Sequence, residues 1–403
     1  MAFRLLFCAL LATAIGQSVM LTTLPSLGRD ASLSEFQVAV IMSSSACIFA
    51  LGTTFWSRFA RRHGFKRTLM MGLTGYTLGT LLFAGMWSLG YLNILSGTVL
   101  FVALLTARSL QSTIMSATPP AAVGYAIAVS SPTERVKAIS KVTSANNLGQ
   151  VVGPAYAGAL ASFGLLTPLY SIVLLTFAAL LLIWAKLPPL PGQAAVPDTS
   201  EKPSGRAGAV RRITPVMIGA CASLFCAMAM MQQTLGFFFI DEYGYSTVAA
   251  AQHVGFAMMS MAIASLTVQF GVVQRSIFRP QSLIYLSLPL IAAGYLLMYI
   301  HQTLTVLYIA MAILGTGMGM AYPSIAAVAT SYCDPKRQAT VTGMITASPA
   351  MGYIVGPPIA ALLYGQTERL PFLCASGLLI GFSLLVLGAL RQASVAQRSD
   401  RPD

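Results

Sequence analysis
Gly149-Gln-Val-Val-Gly153-Pro154-Ala-Tyr-Ala-Gly158 lies inside an apolar run from about Ala138 to Phe163. Glycine and proline each weaken a helix interior in water, so soluble helices rarely carry Gly-x-x-x-Gly with a proline beside it. In a bilayer the same residues have a use. The glycines let a neighbouring helix approach closely, and surrounding helices re-satisfy the backbone groups that proline frees. The device recurs 203 positions later as Gly352-Tyr-Ile-Val-Gly356-Pro357, and at the same offset Pro132 matches Pro335 and Pro120 matches Pro323. Five coincident Gly/Pro positions at one spacing indicate an internal duplication of a membrane-embedded half.

Composition agrees. The chain is 56% hydrophobic and only 9% charged, against roughly a quarter charged in soluble domains, which points to a polytopic membrane protein. The formal net charge of +13 raises the question of nucleic acid. A nucleic-acid surface needs clustered basic residues with interleaved aromatics, and no such stretch is present, so no nucleic-acid partner is expected.

Read in order, apolar segments are expected at Leu5–Leu27, then up to Phe55, then Thr68–Gly90 and Val99–Val129. Spans five and six follow, separated by Phe163 to Pro168. Arg4 followed by a short apolar run imitates a secretory signal, but the run continues past any cleavage position and reads as a first span. Six more spans are expected at Thr214–Ile240, Thr247–Val273, Gln281–Ile300, Thr303–Ala329, Ala339–Tyr364 and Pro371–Leu390. The expected organisation is a six-helix bundle over 1–186, a Pro/Gly-rich polar linker over 187–213, a second bundle over 214–391 and a polar tail over 392–403.

Lys and Arg give the direction. With the N-terminus in the cytoplasm, 21 of the 24 basic residues fall on the inner side, only Arg29 and Arg369 fall outside, and Arg108 falls within a span. The positive-inside rule then places both termini in the cytoplasm.

These features resemble the major facilitator superfamily, in particular its twelve-span drug:proton antiporter branch. Gly149, Gly153, Pro154 and Gly158 resemble that branch's antiporter motif in span five, and Gly352, Gly356 and Pro357 its counterpart in span eleven. Leu105-Thr-Ala-Arg108-Ser-Leu-Gln111 resembles the span-four motif, and Ile15-Gly16 with Pro25 loosely resembles the first-span motif. In the loop between spans two and three, Arg61, Arg62, Gly64, Lys66 and Arg67 keep the family's basic character. Arg61 and Phe65 stand where the family has an Asp before the loop glycine and an Arg after it, so the latch attributed to that acid is not carried over. The resemblance implies an all-α fold of twelve transmembrane helices in two pseudo-symmetric six-helix bundles. It also implies a secondary transporter, not an enzyme, that exports a small organic molecule by proton antiport and works as a monomer without a cofactor.

Arg108 is the sharpest single residue, because a mid-membrane cation normally faces a cavity or a partner. It reads either as a substrate or proton-pathway group or as a structural Arg bonded to helix carbonyls and Gln111. The eleven Asp and Glu all fall in expected loops or at span ends. The nearest protonatable candidates are Asp30, Glu35, Asp241, Glu242 and His253. Of these, Asp241 and Glu242 read most simply as solvated loop charges, and His253 reads either as a proton-exchange group or as an interhelical hydrogen-bonding residue. A cavity holding Arg108 and no acid favours neutral or anionic cargo, such as a carboxylate siderophore, over lipophilic cations. Gln17, Asn146, Asn147, Gln232 and Gln233 are further candidate polar groups for the substrate pathway.

Other chemistry is set aside. The six cysteines form no Cys-x-x-Cys pair, so no metal or disulfide framework is expected. Gly315-Thr-Gly317-Met-Gly319 lacks a preceding strand and reads as a close-packing face, not a phosphate loop. No P-loop, Gly-x-Ser-x-Gly or His-Glu-x-x-His occurs, which argues against direct ATP use and against a hydrolase.

Overall fold
The computed structural model describes residues 2–131, 134–190, 210–275, 278–333 and 338–399. Among these residues there is no strand. The helices are α1 (Ala2–Asp30), α2 (Glu35–His63), α3 (Phe65–Tyr91), α4 (Gly97–Met115), α5 (Thr118–Ala128), α6 (Arg135–Ala161) and α7 (Thr167–Lys186). They continue as α8 (Val210–Asp241), α9 (Thr247–Val268), α10 (Pro280–Ile300), α11 (Leu304–Ser331), α12 (Gln338–Tyr364) and α13 (Leu370–Ser399). The all-α architecture expected from the sequence is what is found.

Eleven segments among the described residues are long and apolar enough to cross a membrane, with α4 and α5 counted together. The segment that falls short of the expected twelve is α6, which holds the Gly149–Gly158 stretch. Lys141, Ser144, Asn146 and Asn147 in its first half, with Gln150 just beyond, make it too polar, although it is an unbroken helix of 27 residues. Other boundaries also differ from expectation. The fourth span is interrupted at Ser116–Ala117, just ahead of Pro119 and Pro120, and resumes as α5. Proline cannot donate into the preceding turn, which accounts for the break. The last helix runs on through Ser399, well into the segment expected as a tail. Most of the expected linker, 191–209, lies outside the described residues.

The chain divides into two compact units. The first comprises Met1–Asp198 with Leu235–Phe256, and the second Thr199–Thr234 with Ala257–Asp403. In the first unit, Leu6, Leu10, Phe65, Leu69, Tyr125 and Ile183 form one buried cluster, while Val19, Tyr76, Met115, Ala157 and Ile172 form another. Both are assembled from residues at helical spacing, so α1 presents one face to several partners along its length.

Close approach is set by glycine. A Cβ on Gly149 would overlap Ala14 and lie 2.8 Å from the Ile15 nitrogen; one on Gly153 would overlap Ser18 and lie 3.1 Å from the Ile15 carbonyl oxygen. The antiporter-like face of α6 is therefore seated on α1, and Ser18 Oγ donates to the Gln150 carbonyl at 3.3 Å. In the second unit the repeated motif does the same against α8. A Cβ on Gly352 would lie 2.5 Å from the Phe225 carbonyl carbon, and one on Gly356 would lie 2.7 Å from the Cys226 oxygen. The glycines of 315–319 also pack, with Gly319 against the backbone of Ser265 and Gly317 against Ile291 and the Ser287 carbonyl.

Helix ends are satisfied locally. Ser34 caps α2 in a reciprocal box with Gln37, so two orphan backbone donors are used. Arg369 donates to the carbonyls of His301 (2.8 Å) and Tyr299 (3.1 Å) at the end of α10, where free carbonyls attract a cation.

Candidate functional site
α4 carries the site. Its inward face reads Leu104, Ala107, Arg108, Gln111, Ser112 and Met115, all buried, while Val102 and Leu110 on the other side are exposed. Steps of three and four residues produce such a division, with the apolar outer side suited to lipid. Arg108 is only 6% exposed.

Its guanidinium is held by two amides. Nη1 donates to Gln111 Oε1 at 2.5 Å, one turn along the same helix, and Nη2 donates to Gln17 Oε1 of α1 at 2.8 Å. Gln111 Nε2 donates in turn to Thr80 Oγ1 of α3 at 2.6 Å, and Thr80 Oγ1 donates to the Tyr76 carbonyl at 2.8 Å. Tyr76 Oη donates to the Thr13 carbonyl of α1 at 3.2 Å. Gln17 Nε2 points to Met115 Sδ at 3.8 Å. The cation thus sits in a three-helix polar network, and both of its acceptors are neutral. No carboxylate pairs with it among the described residues. A buried cation without a counter-ion attracts an anion more strongly than an exposed one, because the low dielectric that makes it costly also strengthens the pairing.

The structure sorts the other expected site residues. Gln17, Gln111 and Arg108 are brought together. Asn146 is half-buried on α6 and is not a partner in this network, and the side chain of Asn147 lies outside the described residues. Gln232 and Gln233 belong to the second unit, where Gln232 Oε1 accepts from Tyr353 Oη at 2.7 Å. His253 is in an aromatic cluster, stacked on Tyr245 at 4.4 Å and beside Phe239 at 5.6 Å. It is not a partner of Arg108.

In the short basic loop, Gly64 has φ +94°, a conformation that favours glycine, and its amide donates to the Ala60 carbonyl at 3.0 Å, closing α2. Lys66 Nζ donates to the Trp184 carbonyl at 3.1 Å, and Arg61 Nη1 to Ser57 Oγ at 3.4 Å. Arg62 and Arg67 are exposed.

One group departs from the sequence expectation. Asp241, expected as a solvated loop charge, forms an ion pair with Arg29 Nη2, and the same nitrogen lies 2.6 Å from Glu35 Oε1. Arg29 also lies over the Phe237 ring at 5.1 Å, and Thr247 Oγ1 donates to Asp30 Oδ1 at 3.3 Å. This cluster ties the α1–α2 connection to the end of α8 and the start of α9 inside the first unit. A signal for it was present. The expected topology makes Arg29 one of two basic residues on the side where Asp30, Glu35, Asp241 and Glu242 are also expected. Tyr76 and Thr80 were missed as site residues, although their spacing of four places both on one face of α3.

The sequence pattern of the Major Facilitator Superfamily matches residues 6–357 and 276–402. The chain belongs to the Major Facilitator Superfamily. As a member of it, the chain is a multi-pass membrane transporter and not an enzyme. It is 21% identical over 388 residues to "Multidrug resistance protein 2" of Bacillus subtilis (strain 168), covering 94% of this chain and 92% of that one. A crystal structure of a variant peptide transporter, POT, in complex with sulfate superposes with a TM-score of 0.74 at 14% identity, over 97% of this chain and 94% of that one. The human organic anion transporter MFSD10 superposes at 0.65 with 18% identity, over 96% and 98%. At such identities the structural likeness concerns the fold. Within this superfamily chain, Arg108 and its amides form the most deeply buried charged site among the described residues.

Proposed function
We propose that this transporter exports a small organic molecule by proton antiport, through alternating access of two parallel six-helix halves. The observation that carries the reading is the seat of α6 on α1. Gly149 and Gly153 leave no room for a side chain there, and Pro154 follows directly, as in the antiporter-branch motif. The multidrug-named relative adds support for an organic cargo. In this reading the protein lies in the inner membrane as a monomer, with 1–186 and 214–391 as its halves and both termini cytoplasmic. In this reading α6 and α12, each packed on a helix of its own half, are the bending and close-packing elements of that motion. Glu35 and Asp241, which meet at Arg29, and His253 are the candidate proton acceptors in this reading.

A second reading, that the cargo is an anion such as a carboxylate metabolite or siderophore, is favoured by Arg108. Its bonds to Gln111 and Gln17 use two of the five N–H donors of a guanidinium, and both partners are neutral. A cargo carboxylate would supply the missing counter-ion, and a lipophilic cation would be repelled.

The test is a pH gradient generated in inside-out vesicles and challenged with cationic dyes, zwitterions and carboxylates. Collapse of the gradient by one class, abolished in Arg108→Ala, supports proton-coupled export and assigns the cargo class. Uptake of a labelled cargo that proceeds without proton movement overturns the coupling.

A further inference from the structure
A groove of about 880 Å³ runs along the outer side of the first unit. Its walls are the exposed apolar residues of α3, among them Met71, Leu78 and Leu82, with Leu110 of α4 opposite. Lys66 and Arg67 stand together at one end, beside Trp184, which is 64% exposed. From Lys66 to Leu82 the helix rises about 24 Å at 1.5 Å per residue. We propose that this groove binds one anionic phospholipid of the surrounding bilayer, with its phosphate on Lys66 and Arg67 and an acyl chain along Met71, Leu78 and Leu82.

The charge pattern selects that occupant. Both charged groups lining the groove are cationic, no acid lines it, and the remainder is almost wholly apolar. Lys66 uses one of its three donors on the Trp184 carbonyl, which fixes the ammonium at the mouth and leaves two donors for phosphate oxygens. Arg67 is exposed beside it and offers a planar fork suited to the same oxygens. An exposed Trp next to two cations is also the residue set found where a helix leaves the hydrocarbon, so the headgroup end of the groove coincides with a membrane surface. Basic pockets between spans hold anionic headgroups by this attraction. The floor matters as well. Gln111 lines the groove and is the amide that accepts from Arg108, so a bound chain lies against the back of the Arg108 network. The inference rests on the chain being membrane-embedded, not on its direction of transport or its cargo.

The experiment uses Trp184 as the reporter. The full-length protein is reconstituted in phosphatidylcholine vesicles doped with acyl-dibrominated phosphatidylglycerol or, separately, dibrominated phosphatidylcholine. Tryptophan quenching is compared between wild type and Trp184→Phe to isolate the one exposed tryptophan of the three. The expected result is that the anionic lipid quenches the Trp184 component at a severalfold lower mole fraction than the zwitterionic one. Lys66→Gln with Arg67→Gln should remove that preference, by roughly fivefold per charge, and Lys66→Arg should keep it. Both variants are checked by circular dichroism and gel filtration, and brominated lipid is also scored on the buried tryptophans as an internal control. Equal quenching by the two lipids in wild type overturns the proposal, as does a preference that survives the double substitution. Stronger quenching by a brominated single-chain cationic amphiphile than by the phosphatidylglycerol overturns it too, and would assign the groove to a cationic guest.

Discussion

Arg108 and Arg29 show what burial does to the same side chain. Arg29 is part-exposed and touches two carboxylates. Exposed pairs are worth about 0–1 kcal/mol each, so Arg29→Gln should shift the melting temperature little. Its effect should appear in transport, because the variant frees the α1–α2 connection from α8. If Arg29→Asp abolishes transport, the exchange Arg29→Asp with Asp241→Arg should recover part of it, and failure of the exchange to do so counts against a direct role for the pair. Arg108 is buried among neutral amides, and hydrogen bonds to charged groups contribute about 1.5–3 kcal/mol. Arg108→Ala is therefore expected to lower transport of an anionic cargo by about tenfold or more, with unchanged abundance in the membrane. Arg108→Lys should recover only part, since an ammonium cannot reproduce the fork that spans Gln17 and Gln111. Transport rates in vesicles, normalised to protein, decide it. Gln111→Leu should destabilise the fold by about 1–3 kcal/mol, because it leaves Arg108 Nη1 and Thr80 short of a partner; a thermal melt in detergent measures this. The sequence singled out Arg108, Gln111 and Gln17 because polar groups in apolar spans are few. It did not reveal Thr80 and Tyr76, whose hydroxyls are common in such spans and whose role depends on how α3 is rotated against α1 and α4.

At the scale of the element, α6 and α12 repeat one packing solution. The repeat was legible because glycine and proline are costly in helices and so stand out at a fixed offset. Which helix each glycine faces was not legible, since that depends on tertiary arrangement: α1 for Gly149 and Gly153, α9 for Gly158, and α8 for Gly352 and Gly356. Gly153→Leu should push α6 off α1, because Ser18 and the Ile15 carbonyl occupy the added volume. Overpacking of this kind costs about 1–3 kcal/mol. Transport should fall severely while a large fraction of the protein still reaches the membrane. Gly343→Ala is the matched control. Nothing lies within 4 Å of a Cβ at that position, and alanine favours a helix over glycine by about 1 kcal/mol, so the variant should be at least as stable as the parent. Paired measurements of melting temperature and vesicle transport test both statements, and equal behaviour of the two variants would mean that the motif is passive. The break between α4 and α5 follows the same logic in reverse. Pro119 and Pro120 were plain in the sequence, yet an apolar run on both sides favoured reading one continuous span.

For the whole molecule, the number of crossings decides where the two ends lie. Among the described residues eleven segments qualify by length and composition, and α6 does not. An odd number would put the termini on opposite sides, whereas twelve puts both on the side that holds 21 of the 24 basic residues. The length of α6 argues for twelve. Its 27 residues extend about 40 Å at 1.5 Å each, more than the roughly 30 Å of hydrocarbon. Its polar residues are concentrated in the half nearest Arg135, and its glycines are covered by α1 at Gly149 and Gly153 and by α9 at Gly158. A helix shielded by a neighbour does not need the apolar circumference of one that meets lipid all round, so composition alone undercounts it. Reporter fusions resolve the matter: phosphatase and fluorescent-protein fusions at residue 403, and a small epitope tag ahead of Ala2. Both ends are expected to report cytoplasm. A tag ahead of Ala2 on the inside with a phosphatase-active C-terminus would mean eleven crossings, and α6 would then lie along one surface. That outcome would separate the Gly149–Gly158 stretch from any role in a transmembrane path, and with it the antiport reading that stands on it.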